Sequence, residues 1–183
     1  NTLIGYQAGY NTSGSSYTTA VGYQSGYSIA DWQAGTYIGY LAGKFSTGRT
    51  NVFVGARAGE GFTTGRDNVV LGKSAGGTSE NVPSYGQGSR NTFLGYFAGY
   101  DSQNATDNVI VGAQDFTSAN PITGSYNVYL GTDAGNTSGS GSNNVFVGYN
   151  AGMNETGSNR LYIENSSADA TNALIYGEFD NDR

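Results

Sequence analysis

A short pattern recurs along most of this chain and constrains the fold more than any other feature of the sequence. The pattern is Asn, a β-branched residue, an apolar residue, an aliphatic residue and Gly, as in Asn51–Gly55 and Asn144–Gly148. Nine glycines, which we call the anchor glycines, mark its copies and weaker variants: Gly5, Gly22, Gly39, Gly55, Gly72, Gly95, Gly112, Gly131 and Gly148. The residue numbers of successive anchor glycines differ by 17, 17, 16, 17, 23, 17, 19 and 17. A nearly fixed period this short predicts a solenoid, in which each repeat forms one coil that stacks on the next.

The three residues before each anchor glycine predict a β-strand that is apolar on both sides. The position before Gly is aliphatic in all nine copies, and the position two residues earlier is always Thr or Val. These two positions point to one side of the strand because side chains alternate. The central position points to the other side and is also apolar: Leu3, Ala20, Tyr37, Phe53, Val70, Phe93, Ile110, Tyr129 and Phe146. Such strands are buried on both sides, so one side fills the coil and the other meets a second strand segment or a neighbouring chain.

A coil of this size cannot be stabilised by its own apolar residues alone. Ordering the backbone costs roughly 1–2 kcal/mol per residue, whereas each buried apolar side chain returns about 1.5–3 kcal/mol. Each coil offers only three apolar strand positions against the cost of ordering the whole repeat, so we expect the coils to stack and the chain to associate with copies of itself. The residues predicted to form the core or the interface between chains are Tyr37, Phe53, Phe93, Ile110, Tyr129 and Phe146.

Small residues and Asn mark the corners of the coil. An Ala-Gly pair follows nearly every anchor glycine, as in Ala98-Gly99, and suits a turn with positive φ or a close backbone approach. Asn opens seven of the nine copies, and stacked Asn side chains can form a hydrogen-bonded ladder along the solenoid axis. The recurring Thr shares its strand position with Val, so we expect it to point inward, which disfavours an exposed Thr array that binds ice.

Composition disfavours catalysis, metal binding and nucleic-acid binding. The chain has neither Cys nor His, which removes thiolate chemistry, the commonest general base and the commonest zinc ligand. The formal net charge is −6 without a basic patch, so nucleic acid is not an expected partner. No apolar run is long enough to span a membrane. We predict no enzyme activity, no cofactor and no metal; a carboxylate pair drawn from Asp101, Asp107 and Asp115 in a groove between chains is the alternative.

Two insertions interrupt the period, at 77–90 and 115–126, and they contain both prolines of the chain. Because Pro cannot join a β-ladder, we expect these segments to leave the solenoid as loops, where binding residues often lie. The candidates for ligand binding are aromatic residues in or near interruptions of the repeat: Trp32, Tyr85, Phe116 and Tyr126. Packing is the alternative role for Trp32, and tolerated surface variation is the alternative for the loops. Tyrosines that recur after anchor glycines either line a glycan-binding strip or pack by stacking.

The segment Asn144–Gly152, which reads Asn-Val-Phe-Val-Gly-Tyr-Asn-Ala-Gly, resembles the head repeat of the YadA-type trimeric autotransporter adhesins. Repeats of this longer kind also resemble fibre proteins of bacterial surfaces and phage-like tail-fibre shafts. The resemblance covers residues 1–158 and implies a left-handed parallel β-roll in a homotrimer. The period is longer than in the adhesins and the central strand position is often aromatic, so the packing between chains must differ.

We therefore predict an all-β fold, a parallel β-solenoid of about nine coils with about 17 residues each, over residues 1–158. Residues 159–183 are predicted to form a C-terminal cap or neck with strands at 160–163 and 174–179. The chain begins at Asn1 without a signal peptide, and we expect it to be a piece of a longer protein. The expected function is a stiff trimeric extracellular fibre segment, on a cell surface or a tail fibre, for adhesion or recognition of a receptor. A cell-surface glycan or a protein is the expected receptor, and a purely structural filament without a ligand is the alternative.

Overall fold

One β-sheet runs through the computed structural model, which describes residues 1–12, 14, 16–29, 34–77, 88–114, 121–136 and 139–180. Its strands are β1 (Thr2–Ile4), β2 (Thr19–Val21), β3 (Thr36–Ile38), β4 (Val52–Val54), β5 (Val69–Leu71), β6 (Thr92–Leu94), β7 (Val109–Val111), β8 (Val128–Leu130), β9 (Val145–Val147), β10 (Arg160–Ile163) and β11 (Ile175–Glu178). The strands lie side by side in the order of the sequence. No helix occurs in these described ranges.

The strands from β1 to β10 are parallel, each paired with the next, and their register follows the repeat. Val70 of β5 pairs with Phe93 of β6, so the longest spacing between anchor glycines does not shift the strand register. The prediction of an all-β parallel β-solenoid with coils about 17 residues apart is confirmed, and the stack makes about eight turns. Because equivalent residues are paired, each strand position forms a straight column along the axis.

The central residue of each strand from β2 to β9 is buried inside its own chain. The aromatic residues of this column contact one another along the axis; the rings of Tyr129 and Phe146, for example, have centroids 5.0 Å apart. Alanines of the Ala-Gly corners, such as Ala98 and Ala134, complete the same apolar cluster. One chain therefore covers its central column without a partner.

The two outer strand positions, by contrast, face away from the core. Thr19, Thr36 and Thr92 are half-buried, while Val69 and Leu71 are exposed. The prediction that the recurring Thr points inward is therefore wrong. The physical reason is that alternation places the outer positions opposite the central one, and the aromatic central residues occupy the interior.

Glycine is required where backbones or rings approach each other closely. Gly95 has a φ of 142°, and a Cβ built on it would lie 2.2 Å from the carbonyl oxygen of Gly112 in the next coil. The Ala-Gly corner has another constraint, since a Cβ on Gly99, whose φ is 63°, would lie 2.4 Å from the ring of Phe93. The anchor glycines thus allow coils to stack, and the corner glycines make room for the core rings.

The Asn residues form the predicted ladder. Asn68 Nδ2 donates to Asn51 Oδ1 at 3.0 Å and to the Gly88 carbonyl oxygen at 3.1 Å. Its Oδ1 accepts hydrogen bonds from the backbone N–H of Asn91 at 2.9 Å and from Asn91 Nδ2 at 3.1 Å. Related bonds continue the ladder to Asn144 and the backbone N–H of Arg160. Each buried amide therefore ties its coil to the neighbouring coils.

Replacing one ladder amide is expected to destabilise the whole stack. The Asn68→Ala change removes four hydrogen bonds and leaves buried groups of Asn51, Gly88 and Asn91 without that partner, so we expect unfolding to become easier by about 2–4 kcal/mol. Asn165, which is exposed, provides the control, and Asn165→Ala should change stability by less than about 0.5 kcal/mol. Urea unfolding followed by circular dichroism measures both; equal stabilities of the two variants would contradict the role of the ladder.

The last two strands form an antiparallel hairpin at the end of the stack. Tyr162 of β10 continues the aromatic column, with ring centroids 5.5 Å from Phe146 and 5.0 Å from Tyr176. The connection is ordered by Glu164, whose carboxylate accepts 2.7 Å hydrogen bonds from the backbone N–H groups of Asn165 and Leu174. The separate assignment of 159–183 as a cap or neck stays a prediction.

Candidate functional site

The most extended surface feature is the outward side of the sheet, which we call the strand face. It consists of the Thr/Val positions and the aliphatic positions of β1 to β9. Leu161 and Ile163 of β10 continue the two columns, because they pair in register with Val145 and Val147. Only Thr, Val, Ile and Leu occupy these positions. An apolar side of a parallel sheet is usually covered by another layer, which makes the strand face the leading candidate for an interaction surface.

The six residues predicted for the core or the interface all lie within a single chain. Tyr37, Phe53, Phe93, Ile110, Tyr129 and Phe146 are buried there. Sequence reasoning recognised two apolar sides and assigned these residues either to the core or to the contact between chains. Their burial in one chain agrees with the core, and the outer columns are better placed for a contact between chains. The repeat contained a signal for this burial. A pair of small residues, usually Ala-Gly, follows nearly every anchor glycine and leaves interior space for a large central residue.

Tyrosines form two exposed stacks beside the first three coils. Tyr6, Tyr23 and Tyr40 follow anchor glycines, and their ring centroids are 5.3 and 5.5 Å apart with interplanar angles of 15° and 22°. Tyr10 and Tyr27 follow Ala-Gly or Ser-Gly corners and stack at 5.4 Å. These rings cover each other's faces and present edges and hydroxyl groups to solvent. The stacking alternative is therefore realised in these pairs, while a sugar ring would find few free aromatic faces along the stacks.

Of the four residues predicted to bind a ligand, only Tyr126 is described. Its side chain is 60% exposed and its φ is 63°. It lies two residues before β8, at the margin of the strand face. Trp32, Tyr85 and Phe116 lie outside the described residues.

Two ion pairs join charged side chains within the described part of the chain. Arg57 Nε lies 2.5 Å from Glu60 Oε2, and Glu60 is 1% exposed. The hydrogen bond that Arg57 donates to this carboxylate raises the pKa of Arg57. Arg90 binds both oxygens of Asp107, at 2.6 and 2.7 Å, and these hydrogen bonds lower the pKa of Asp107. This pairing makes Asp107 a poor member of a catalytic carboxylate pair, and Asp115 lies outside the described residues.

A cavity of about 250 Å³ lies between the last coil and the hairpin connection. Its polar lining includes Asn154, Glu155, Tyr162 and Asp169. Glu155 accepts hydrogen bonds from the Tyr162 hydroxyl at 3.0 Å and from the backbone N–H of Gly157 at 2.7 Å. Asp169 accepts from the hydroxyl and the backbone N–H of Thr171. Both carboxylates therefore organise the local backbone and side chains through these hydrogen bonds.

The pH dependence of stability should reveal the environment of Tyr176. Desolvation, followed by the 2.6 Å hydrogen bond to Glu178, raises the pKa of Tyr176 to about 12 from its ordinary value of 10.0. A raised pKa in the folded state favours the protonated phenol, so its contribution is complete below pH 10 and is lost as the pH rises toward about 12. Thermal unfolding of the wild type should therefore weaken more steeply over this range than that of Tyr176→Phe. Parallel pH profiles of the two proteins would contradict the expectation.

Two features that would indicate other functions, a metal-ion cluster and a membrane-crossing helix, are absent from the part of the chain that the structure describes. It contains no cluster of three or more His, Cys, Asp or Glu side chains suited to a metal ion. None of its segments forms a helix able to cross a membrane. Comparison with protein-family models, curated proteins and solved structures found no match for this chain.

Proposed function

We propose that this chain is a stiff segment of an extracellular fibre, in which three copies pack through their strand faces and carry loops for adhesion. The single observation behind the proposal is the outward apolar side of the sheet, which the fold of one chain leaves uncovered. The resemblance to the trimeric adhesin repeat supports three as the number of copies. Each chain then contributes one strip to a common axis, in a closed cyclic arrangement.

The size of the strand face supports association. Ten strands, β1 to β10, at a spacing of about 4.8 Å give a strip roughly 45 Å long, and three residues give a width of about 10 Å. The resulting area of roughly 450 Å² is comparable with the largest contiguous apolar patch of a typical soluble monomer, about 300–600 Å², and such patches are often functional. Covering this strip with two sister chains would remove it from water and stiffen the rod.

The charge distribution supports the same surface. The chain carries a net charge of −6, so copies repel each other in general. The outer columns of the solenoid strands contain no charged residue, and contact through them brings no like charges together. Because these columns are uniform from coil to coil, parallel copies in register would place similar residues opposite each other at every level.

A charge on the strand face tests the association. Leu71 is 37% exposed in the single chain, so Leu71→Lys should leave the coil folded. In a trimer the change would bring three ammonium groups into an apolar interface, and sedimentation should show dissociation. Thr64→Lys is the matched control, since Thr64 is exposed outside the strand face, and it should retain the wild-type mass. A monomeric wild type, or a Leu71→Lys protein with unchanged mass, would overturn the proposed packing.

Recognition of a receptor is assigned to the insertions. Deleting residues 80–85 shortens the segment between Gly72 and Gly95 to the spacing that prevails elsewhere in the repeat. The shortened chain should therefore keep its strand register and assemble into an oligomer with the same number of copies. To test recognition, the labelled wild type is screened on glycan arrays and on host-type cell surfaces. The variant that lacks residues 80–85 and the Phe116→Ala variant are then screened in the same way. Loss of binding with retained mass supports an adhesive fibre, whereas a wild type that binds nothing favours the structural filament.

A further inference from the structure

We propose that the stacked tyrosines of the first coils are a site of oxidative cross-linking, in which a one-electron oxidant joins successive coils through dityrosine bonds. The candidate pairs are Tyr6 with Tyr23, Tyr23 with Tyr40, and Tyr10 with Tyr27. Their ring centroids are 5.3, 5.5 and 5.4 Å apart. Each pair joins equivalent positions of adjacent coils, so a bond would link the stack along its axis.

Access and geometry both favour this chemistry. The rings of Tyr6, Tyr10, Tyr23 and Tyr40 are exposed in the chain, and Tyr27 is half-buried. An oxidant can therefore reach a phenol in every pair, while the repeat holds its partner beside it. Gln24 Nε2 donates a 2.7 Å hydrogen bond to Gln7 Oε1. This hydrogen bond links the first two coils at positions that lie, in sequence, between the tyrosines of the two stacks. Preorganisation of this kind replaces a chance encounter between two radicals with a reaction inside one molecule.

The chemistry balances with hydrogen peroxide and a haem peroxidase as the oxidising system. Each phenol gives up one electron and one proton, and the two phenoxyl radicals join through the ring carbons ortho to oxygen. The two hydrogens on those carbons move to the oxygens and restore the phenols. Two electrons and two protons leave in total, and they reduce one hydrogen peroxide to two waters. Because the chain has no Cys, this route supplies a covalent link between coils that disulfides cannot supply.

Tyrosines without a stacked partner provide the comparison. Tyr17 is 87% exposed and Tyr126 is 60% exposed, and the described ring contacts of both include no stacking. If exposure alone decided the reaction, these two residues would couple most readily, and they would do so between molecules. If the stacks decide it, coupling occurs within the chain and yields are independent of protein concentration.

The experiment treats the whole folded chain with peroxidase and hydrogen peroxide over a dilution series, with dityrosine fluorescence and mass spectrometry as readouts. Lys44 is the first basic residue, so trypsin releases residues 1–44 as one fragment, and this fragment includes all five tyrosines of the candidate pairs. We expect this fragment to lose two hydrogens per bond, with a yield that does not change on dilution. Cross-linked wild type should also unfold at a higher temperature than untreated protein, because the bond restricts the unfolded chain.

Conservative variants locate the bonds. Tyr23→Phe keeps the stack but should remove the bonds to Tyr6 and Tyr40, and addition of Tyr27→Phe should abolish the remaining signal of fragment 1–44. Tyr17→Phe is the control and should leave the signal unchanged. Signal retained by the double variant, a yield that falls with dilution, or two 1–44 fragments joined to each other would overturn the proposal.

Discussion

Replacing Gly95 with Ala is expected to lower the free energy of unfolding by about 2–6 kcal/mol, because a backbone strain and a steric clash combine. A φ of 142° is adopted almost only by Gly, and a strained backbone of this kind costs about 1–3 kcal/mol. The added Cβ would also lie 2.2 Å from the carbonyl oxygen of Gly112, and relieving such a clash costs about 1–3 kcal/mol more. The contact is between backbones of adjacent coils, so a side-chain rotation cannot relieve it.

Gly157 provides the matched control for this prediction. A Cβ on Gly157 would meet only side-chain atoms, Glu155 Oε1 at 3.0 Å and Arg160 Nε at 3.7 Å, and the φ of Gly157 lies outside the positive range. Chemical unfolding of Gly157→Ala should therefore resemble that of the wild type to within about 1 kcal/mol. Similar losses in both variants would mean that the anchor glycines are not needed for the approach of the coils.

The position of the strands could be predicted from the sequence because each coil repeats the same local information. The three residues before every anchor glycine are the strands from β1 to β9, and alternation along a strand is a local property. The Asn ladder was equally readable, since a polar residue recurring at one position of a buried repeat must find its partners in the copies above and below it.

The direction of the two apolar sides could not be read from alternation alone. Both sides are apolar, and period two separates them without saying which is inside. The answer depends on the space within the coil, which the Ala-Gly corner determines: Gly99 lies against Phe93, and Gly152 lies against Phe146. The same corner therefore explains why the aromatic residues are enclosed while Thr and Val form the strand face.

The C-terminal hairpin lies beyond the repeat, so its structure could be predicted only in part. The predicted strand at 160–163 matches β10, and the one predicted at 174–179 contains β11. The antiparallel direction of β11 was not predicted, because no second copy of this segment exists with which to compare its spacing. The residues that shape the connection, Glu164 and Asp169, act through hydrogen bonds to nearby backbone that composition does not reveal.

Truncating Phe146 to Ala is expected to cost about 3–5 kcal/mol, because the change leaves a cavity in a fully buried aromatic column. The ring is 0% exposed. It lies between Tyr129 and Tyr162, with centroid distances of 5.0 and 5.5 Å. Since each coil contacts only its neighbours, the loss should loosen the attachment of the hairpin first, and amide exchange in β10 should increase more than in β5.

The same variant distinguishes a core residue from an interface residue. If Phe146 is held by its own chain, the destabilisation should be independent of protein concentration, and sedimentation of the folded variant should match that of the wild type. If sister chains were its main partners, dilution would increase the loss by mass action. Phe179, which is 51% exposed, provides the control, and Phe179→Ala should cost less than about 1 kcal/mol. We expect the concentration-independent result, because the Phe146 ring is already enclosed within one chain while the strand face outside it remains open to a partner.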